Sequence, residues 1–479
     1  MNALLATISL GLAVVIALSV PGGAAAVVFA VVVAFAAALA IRRTNVEDDK
    51  LLLLQLFIAA LLVRVFIGTV IYSMKLQNFF GGDALTYDEL GMGLLAVWQG
   101  DVSQRSVVND WATGGGGWGM LYVVAGVYSI IGRNPLAIQF FNAVMGAATA
   151  PVIYLCARHI FSNVRVARAS AFFVAFYPSL VLWSAQGLKD AIIVFLLAAV
   201  MLTTLKLDEK FSTGKLMLLV CALFGLLTLR FYIFYMTVVA VGGSFIIGTR
   251  RLSPQNLVRV FILVAGLGLV MTYLGVLRSA SAQFEAYSTL EAVNRSRADL
   301  ARNANTGFAG DVDVSTTAGA IGMIPVGMVY LLFAPFPWQL ANLRQSITLP
   351  EMIVWWASFP LLVIGLYFTM RYRLRQALPI LLFTMMLTLA YSIFQGNVGT
   401  AYRQRSQLLV FYFIFVSVGF VLMRERREDR AREAERAKQA SRRPSPQAVA
   451  AHARYETWKQ GSGKELEEVA RGLSERIDF

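Results

Sequence analysis

Residues able to do chemistry gather in a few places along this chain. The run Phe79-Phe80-Gly81-Gly82-Asp83-Ala84-Leu85-Thr86-Tyr87-Asp88-Glu89 places three carboxylates just past the end of a long apolar stretch. A carboxylate at such a rim is partly desolvated yet within reach of a molecule arriving from water or from lipid, which suits a general base or a metal ligand. A solvated loop would carry the same residues. Cations suited to an anionic group recur further on. Lys189 follows Gln186 and precedes Asp190, with which a local ion pair is the simpler reading. Arg230 interrupts the apolar stretch from Leu216 to Ile247, and the segment from Gly396 to Arg405 carries the pair Arg403 and Arg405. Guanidinium binds phosphate bidentately, and an arginine inside an apolar run is costly unless paired or used. Snorkelling arginines that anchor a helix are the alternative for the pair.

The elements that position these residues follow from composition. The 479 residues are 58% apolar and 15% charged, with a mean hydropathy of +0.65. Globular chains run about 45–50% apolar and about 25% charged, so the fold class is all-α, a polytopic integral membrane protein. A bilayer core needs about 20 apolar residues per helix. Candidate spans lie at 3–20, 24–41, 51–74, 135–157, 168–185 with a kink at Pro178, 188–206, 215–229, 231–249, 257–277, 350–370, 377–394 and 406–423. That is about 12 helices, with 11–13 as the range. Run 118–132 is too short to span and reads as an interfacial helix on the outer surface. Run 319–338 either spans or re-enters. The Lys/Arg bias favours re-entry, because Arg371, Arg373, Arg375 and the tail then lie inside with both termini. A transmembrane domain of 1–423 follows, with extracytoplasmic loops at 75–117 and 278–318 and a charged helical cytoplasmic tail at 424–479.

The net charge of +14 comes from basic residues at the ends of apolar runs, where topology puts them, so nucleic acid is excluded as a partner. Cys156 and Cys221 lie inside apolar runs and form no disulfide scaffold. Gly114 to Gly119 contains a GxGxxG with no strand before it, which reads as a flexible loop. Trp338 sits near an interface and offers a face for stacking on a sugar, although aromatic belts explain it too. His159 and His452 fall on the cytoplasmic side and take no part in the site. In the second outer loop Arg295, Arg297, Asp299 and Arg302 sit in a polar helix-like stretch that either shapes acceptor entry or, as the simpler reading, is a solvated polar helix.

With these residues in view, the order Asp83-x-x-x-Tyr87, then Asn134-Pro135, Arg158-His159-Ile160-Phe161, Tyr177-Pro178-Ser179 and Trp183-Ser184-Ala185-Gln186-Gly187-Leu188-Lys189-Asp190 resembles the GT-C superfamily of membrane glycosyltransferases. It is similar to the protein O-mannosyltransferase and aminoarabinose-transferase kind, best over residues 75–200. The resemblance implies an inverting transferase in the cytoplasmic (inner) membrane of a bacterium. Such an enzyme moves a sugar from a polyprenyl-phosphate donor to a glycan, lipid or protein acceptor on the extracytoplasmic face, amid membrane lipids. It implies Asp83 as the catalytic base and Tyr87 as active-site support. The family often has a second acid after the first, a position held here by Ala84, so Asp88 or Glu89 stands in. Lys189, Arg230, Arg403 and Arg405 become donor-phosphate ligands. No cofactor is required, and a divalent metal is not indicated. Two other readings use similar residues: a polysaccharide polymerase or ligase relying on Arg295, Arg297 and Arg302, and a lipid or sugar transporter.

Overall fold

The computed structural model describes residues 3–44, 46–113, 117–209, 211–248, 269, 272, 289–302, 306–340, 342–442 and 446–474. Among these the chain is all-helical, with no strand. Among the described residues, seven helices are long and apolar enough to cross a membrane: Gly23–Arg42, Lys50–Ser73, Pro135–Phe161, Asp190–Glu209, Leu343–Tyr372, Leu374–Phe394 and Ser406–Lys438. An eighth span results if the bent pair Val164–Phe176 and Pro178–Ser184 counts as one. Shorter apolar helices lie at Ala3–Ser19, Gly119–Ile131, Thr213–Leu229, Phe231–Phe245 and Thr317–Phe333. The chain is thus a polytopic membrane protein, as helices are the spanning form that satisfies its backbone internally. The expected span at 257–277 lies outside the described residues apart from Leu269 and Thr272.

The helices pack closely where glycine permits. A Cβ on Gly327 would lie 1.7 Å from the Ser392 carbonyl oxygen, and one on Gly365 would lie 1.8 Å from that of Phe415. Small residues at such crossings let helix backbones approach in place of a hydrophobic driving force that lipid does not supply.

Three elements differ in detail from the sequence reading. The helix Gly119–Ile131 buries Met120, Leu121, Val124 and Tyr128. It packs against the helix Asp83–Trp98, and Val124 fills the space that a Cβ on Gly91 would need. Run 319–338 is the helix Thr317–Phe333 followed by a cis Ala334–Pro335 bond and a single turn, Pro337–Gln339. The approach to the last span is a separate short helix, Val398–Gln404, before Ser406–Arg442 begins. A second compact unit, Val421–Phe479, holds the end of that long helix and the helix Pro446–Ser474.

The break at Pro178 is held by a buried cation. The helix Val164–Phe176 ends at Tyr177 and the chain turns by 53° into Pro178–Ser184. Proline lacks the N–H that would serve the carbonyl four residues back, which here is that of Val174. Arg64, 1% exposed in the helix Lys50–Ser73, supplies donors instead: to the carbonyls of Ala175 at 2.6 Å and Val174 at 3.3 Å, and to Ser184 Oγ at 2.8 Å. Replacing Arg64 by leucine leaves two buried carbonyls without donors. We expect this change to lower stability by on the order of 3 kcal/mol, read from denaturant unfolding of the purified chain in detergent. A variant as stable as the native chain would remove Arg64 from this role.

Candidate functional site

Four distant stretches of chain bring ionised groups to one place. Asp83 opens the helix Asp83–Trp98, where the helix end favours a carboxylate. Asp190 opens the span Asp190–Glu209, directly after Lys189. Arg230 is the single residue between the helices Thr213–Leu229 and Phe231–Gly248. Arg403 lies in the short helix Val398–Gln404. Its guanidinium joins two acids: Nη1 donates to Asp83 Oδ2 at 2.6 Å, while Nε donates to Asp190 Oδ2 at 2.7 Å. Arg230 Nη2 stands 3.5 Å from the other oxygen of Asp190. Asp190 is buried, whereas the Asp83 side chain is 53% exposed. Lys189 Nζ lies 5.9 Å from the centre of the Tyr87 ring.

The segment Tyr402-Arg403-Gln404-Arg405 is aimed by its neighbours. Tyr402 donates to the buried Glu351 at 2.8 Å. Arg405 donates to the carbonyls of Leu331 and Ala334 and reaches Met352 Sδ. With the residues on either side anchored inward, Arg403 is left for the two carboxylates. The approach to this helix is pinned by the segment 306–316: Phe308 N donates to Gly396 O at 2.9 Å, Val398 N to Thr306 O at 3.0 Å, and Thr306 Oγ1 to Asn397 Oδ1 at 2.7 Å. That segment packs Phe308 flat on Tyr330, with ring centres 4.2 Å apart.

Asp83, Arg230 and Arg403 line a cavity of about 680 Å³. Phe79, Phe80 and Gly81 form one wall; the start of the helix Leu343–Tyr372, with Arg344, forms another. The cavity therefore offers a half-exposed carboxylate, fixed cations beside it and aromatic surface at its edge. That combination can accept a proton and stabilise an anion at neighbouring points.

The sequence-predicted residues divide between this site and other places. Asp83, Arg230 and Arg403 come together at the cavity; Lys189 and Tyr87 lie behind them, off its lining, with Tyr87 at the edge of a second, small cavity. Asp88 instead pairs with Arg133 at 2.5 Å and accepts from Tyr128, and it lines a different small cavity. Glu89 is exposed on the same helix and does not line the cavity. Arg405 is 1% exposed and its guanidinium is spent on carbonyls, so it supports the segment rather than lining the cavity. Trp338 is 76% exposed and stacks on Phe336 at 5.1 Å, away from the cavity. Arg297 corrects the expectation of a solvated polar helix: it is fully buried and holds the carbonyls of Ala309 and Val312. The polymerase or ligase reading thereby loses its central arginine. Asp190, read from sequence only as a partner for Lys189, is instead the shared acid of Arg230 and Arg403. Its place at the start of a span, next to a lysine, was the available signal. Among the described residues, no group of three or more His, Cys, Asp or Glu gathers as metal ligands.

Residues 118–275 match the model of the dolichyl-phosphate-mannose-protein mannosyltransferase family, which is of GT-C type. No curated protein matches the chain. The match bears out the family resemblance over those residues, which are similar to a family of membrane glycosyltransferases that draw on polyprenyl-phosphate sugars. It extends further toward the C-terminus than the stretch over which the motifs are clearest. Lys189, Asp190 and Arg230 lie within the matched residues; Asp83 and Arg403 lie outside them.

Burial, together with the nearby charge of Arg230, pushes the Lys189 ammonium down to about 7. The charged form then prevails below that pH and is lost above it. Affinity for a short-chain polyprenyl-phosphate sugar, a diester whose single charge does not change near neutrality, should therefore fall as pH rises through about 7, measured by equilibrium binding to the detergent-solubilised chain. Lys189→Arg, whose guanidinium stays charged, should flatten the decline. A flat profile in the native chain would contradict the role.

Proposed function

We propose that this chain is an inverting glycosyltransferase moving a sugar from a polyprenyl-phosphate donor to an extracytoplasmic acceptor of the cell envelope, with Asp83 as general base. The observation that carries this reading is the bond from Arg403 to Asp83 at the wall of the cavity, with Asp190 behind it. The donor phosphate competes with Asp83 for the guanidinium, and its arrival frees the carboxylate. Asp83 then takes the proton of the acceptor hydroxyl as that oxygen attacks the anomeric carbon. The bond from that carbon to the phosphate oxygen breaks, leaving the polyprenyl phosphate with a second negative charge. Arg403, Arg230 and Lys189 stabilise that charge where it develops, and Tyr87 covers Lys189.

The topology belongs to the same proposal. Twelve spans with both termini in the cytoplasm of a bacterium place the cavity on the outer face of the inner membrane, within a catalytic domain of 1–423. The tail 424–479 then lies in the cytoplasm. Reporter fusions active only outside the cytoplasm should stay silent when joined after residue 423; activity there would move the C-terminus outside.

Asp83→Asn should lower turnover about 100-fold or more in a membrane assay with a lipid-linked donor, while the variant folds as the native chain does. Retained turnover would remove Asp83 as the base.

A further inference from the structure

The cavity has a second wall that the transfer chemistry does not use. It is formed by the first turn of the helix Leu343–Tyr372, where Arg344 stands between Asn342 and Gln345. Arg344 makes no ion pair among the described residues. Its Nη2 donates to the Asn78 carbonyl at 3.5 Å and its guanidinium lies 5.4 Å from the centre of the Phe79 ring. Both partners steady the head of the side chain without neutralising it.

The charges elsewhere in the site leave Arg344 over. Arg230 and Arg403 face Asp83 and Asp190 and match their charges, and Lys189 beside them adds one positive charge in its protonated form, below about pH 7. A sugar joined to a polyprenyl phosphate carries a single negative charge on its diester and balances that remainder. Arg344 stands outside the balance on a different wall. Unless a second anion enters, a cation here would face a neutral substrate.

The amides of the cavity point to the same kind of ligand. Asn342 Oδ1 accepts from Gln345 N at 3.1 Å, Asn397 Oδ1 accepts from Gly399 N at 2.8 Å, and Gln404 Oε1 accepts from Gln395 Nε2 at 2.6 Å. All three residues line the cavity, and with each oxygen already accepting, the donors of the amides are the groups suited to oxygen-rich partners such as hydroxyls and carboxylates.

Resting on the functional reading above, we propose that the acceptor is an acidic glycan, a sugar chain bearing a carboxylate or phosphate, whose anion Arg344 binds while Asn342, Asn397 and Gln404 donate to its oxygens. Arg344 thus determines acceptor specificity and takes no part in proton transfer.

The test uses the full chain in proteoliposomes with a polyprenyl-phosphate sugar donor and three acceptors of one length: a uronic-acid-terminated oligosaccharide, its carboxyl-reduced neutral counterpart, and a terminally phosphorylated form. At least one acidic acceptor should show a KM about tenfold below that of the neutral one, and which one does so tells carboxylate from phosphate. Arg344→Gln should abolish that difference, with the donor KM unchanged and kcat on the neutral acceptor retained. Equal KM values for all three acceptors in the native chain would overturn the inference while leaving the glycosyltransferase reading intact. So would a raised donor KM in the variant, or an equal loss on acidic and neutral acceptors, which would make Arg344 a donor ligand or a latch on Phe79. No transfer to any acceptor would defeat the functional reading and this inference with it.

Discussion

A guanidinium shared between two carboxylates is the interaction on which the site depends. Arg403 reaches Asp83 at the start of the helix Asp83–Trp98 and Asp190 at the start of a span, both at 2.6 Å. Asp190 is 1% exposed, and a charge removed from water to that degree is tolerated only when opposite charge and hydrogen bonds surround it. The contact therefore holds together stretches of chain that no local preference would bring near one another. Arg230 adds a second cation to the same acid, so that Asp190 serves as the shared counter-charge of both arginines.

The group is graded from interior to cavity. Asp190 lies innermost, Arg230 and Arg403 stand between, and Asp83 is half in contact with solvent. Such a gradient keeps the cations fixed in direction while the outermost carboxylate can exchange its partner. Fixed dipoles and charges of this kind act without reorganising when charge moves. Beneath them, Arg64 and Asp190 line one small cavity, with Ser184 bonded to Arg64. The broken span at Pro178 and the ionic site thus share a wall.

Rigidity comes from the elements around Arg403. Glu351 and the carbonyls of Leu331 and Ala334 anchor the residues on either side of it. The segment that follows the helix Leu290–Arg302, whose carbonyls the buried Arg297 holds, clamps the approach at Gly396 and Val398. Arginines that look equivalent in sequence therefore have different tasks: Arg403 faces acids, whereas Arg297 and Arg405 face carbonyls.

The sequence by itself determined that the chain is helical and membrane-embedded, since runs of apolar residues have few other stable forms in lipid. It also marked Pro178 as a break and singled out Asp83, Lys189, Arg230 and Arg403, because charge beside or inside an apolar run is costly enough to be noticed, whereas Tyr87 came from the family resemblance. It did not separate Asp83 from Asp88, nor Arg403 from Arg405, because spacing along the chain says nothing about which face of a short helix meets which neighbour. Only the tertiary structure decided that Asp88 belongs to Arg133, that Asp190 is the shared acid and that Arg344 stands in the cavity wall. Those assignments rest on contacts between residues well separated along the chain, 45 positions for Asp88 and Arg133 and 213 for Asp190 and Arg403, or on the direction a helix end faces, and packing alone fixes them.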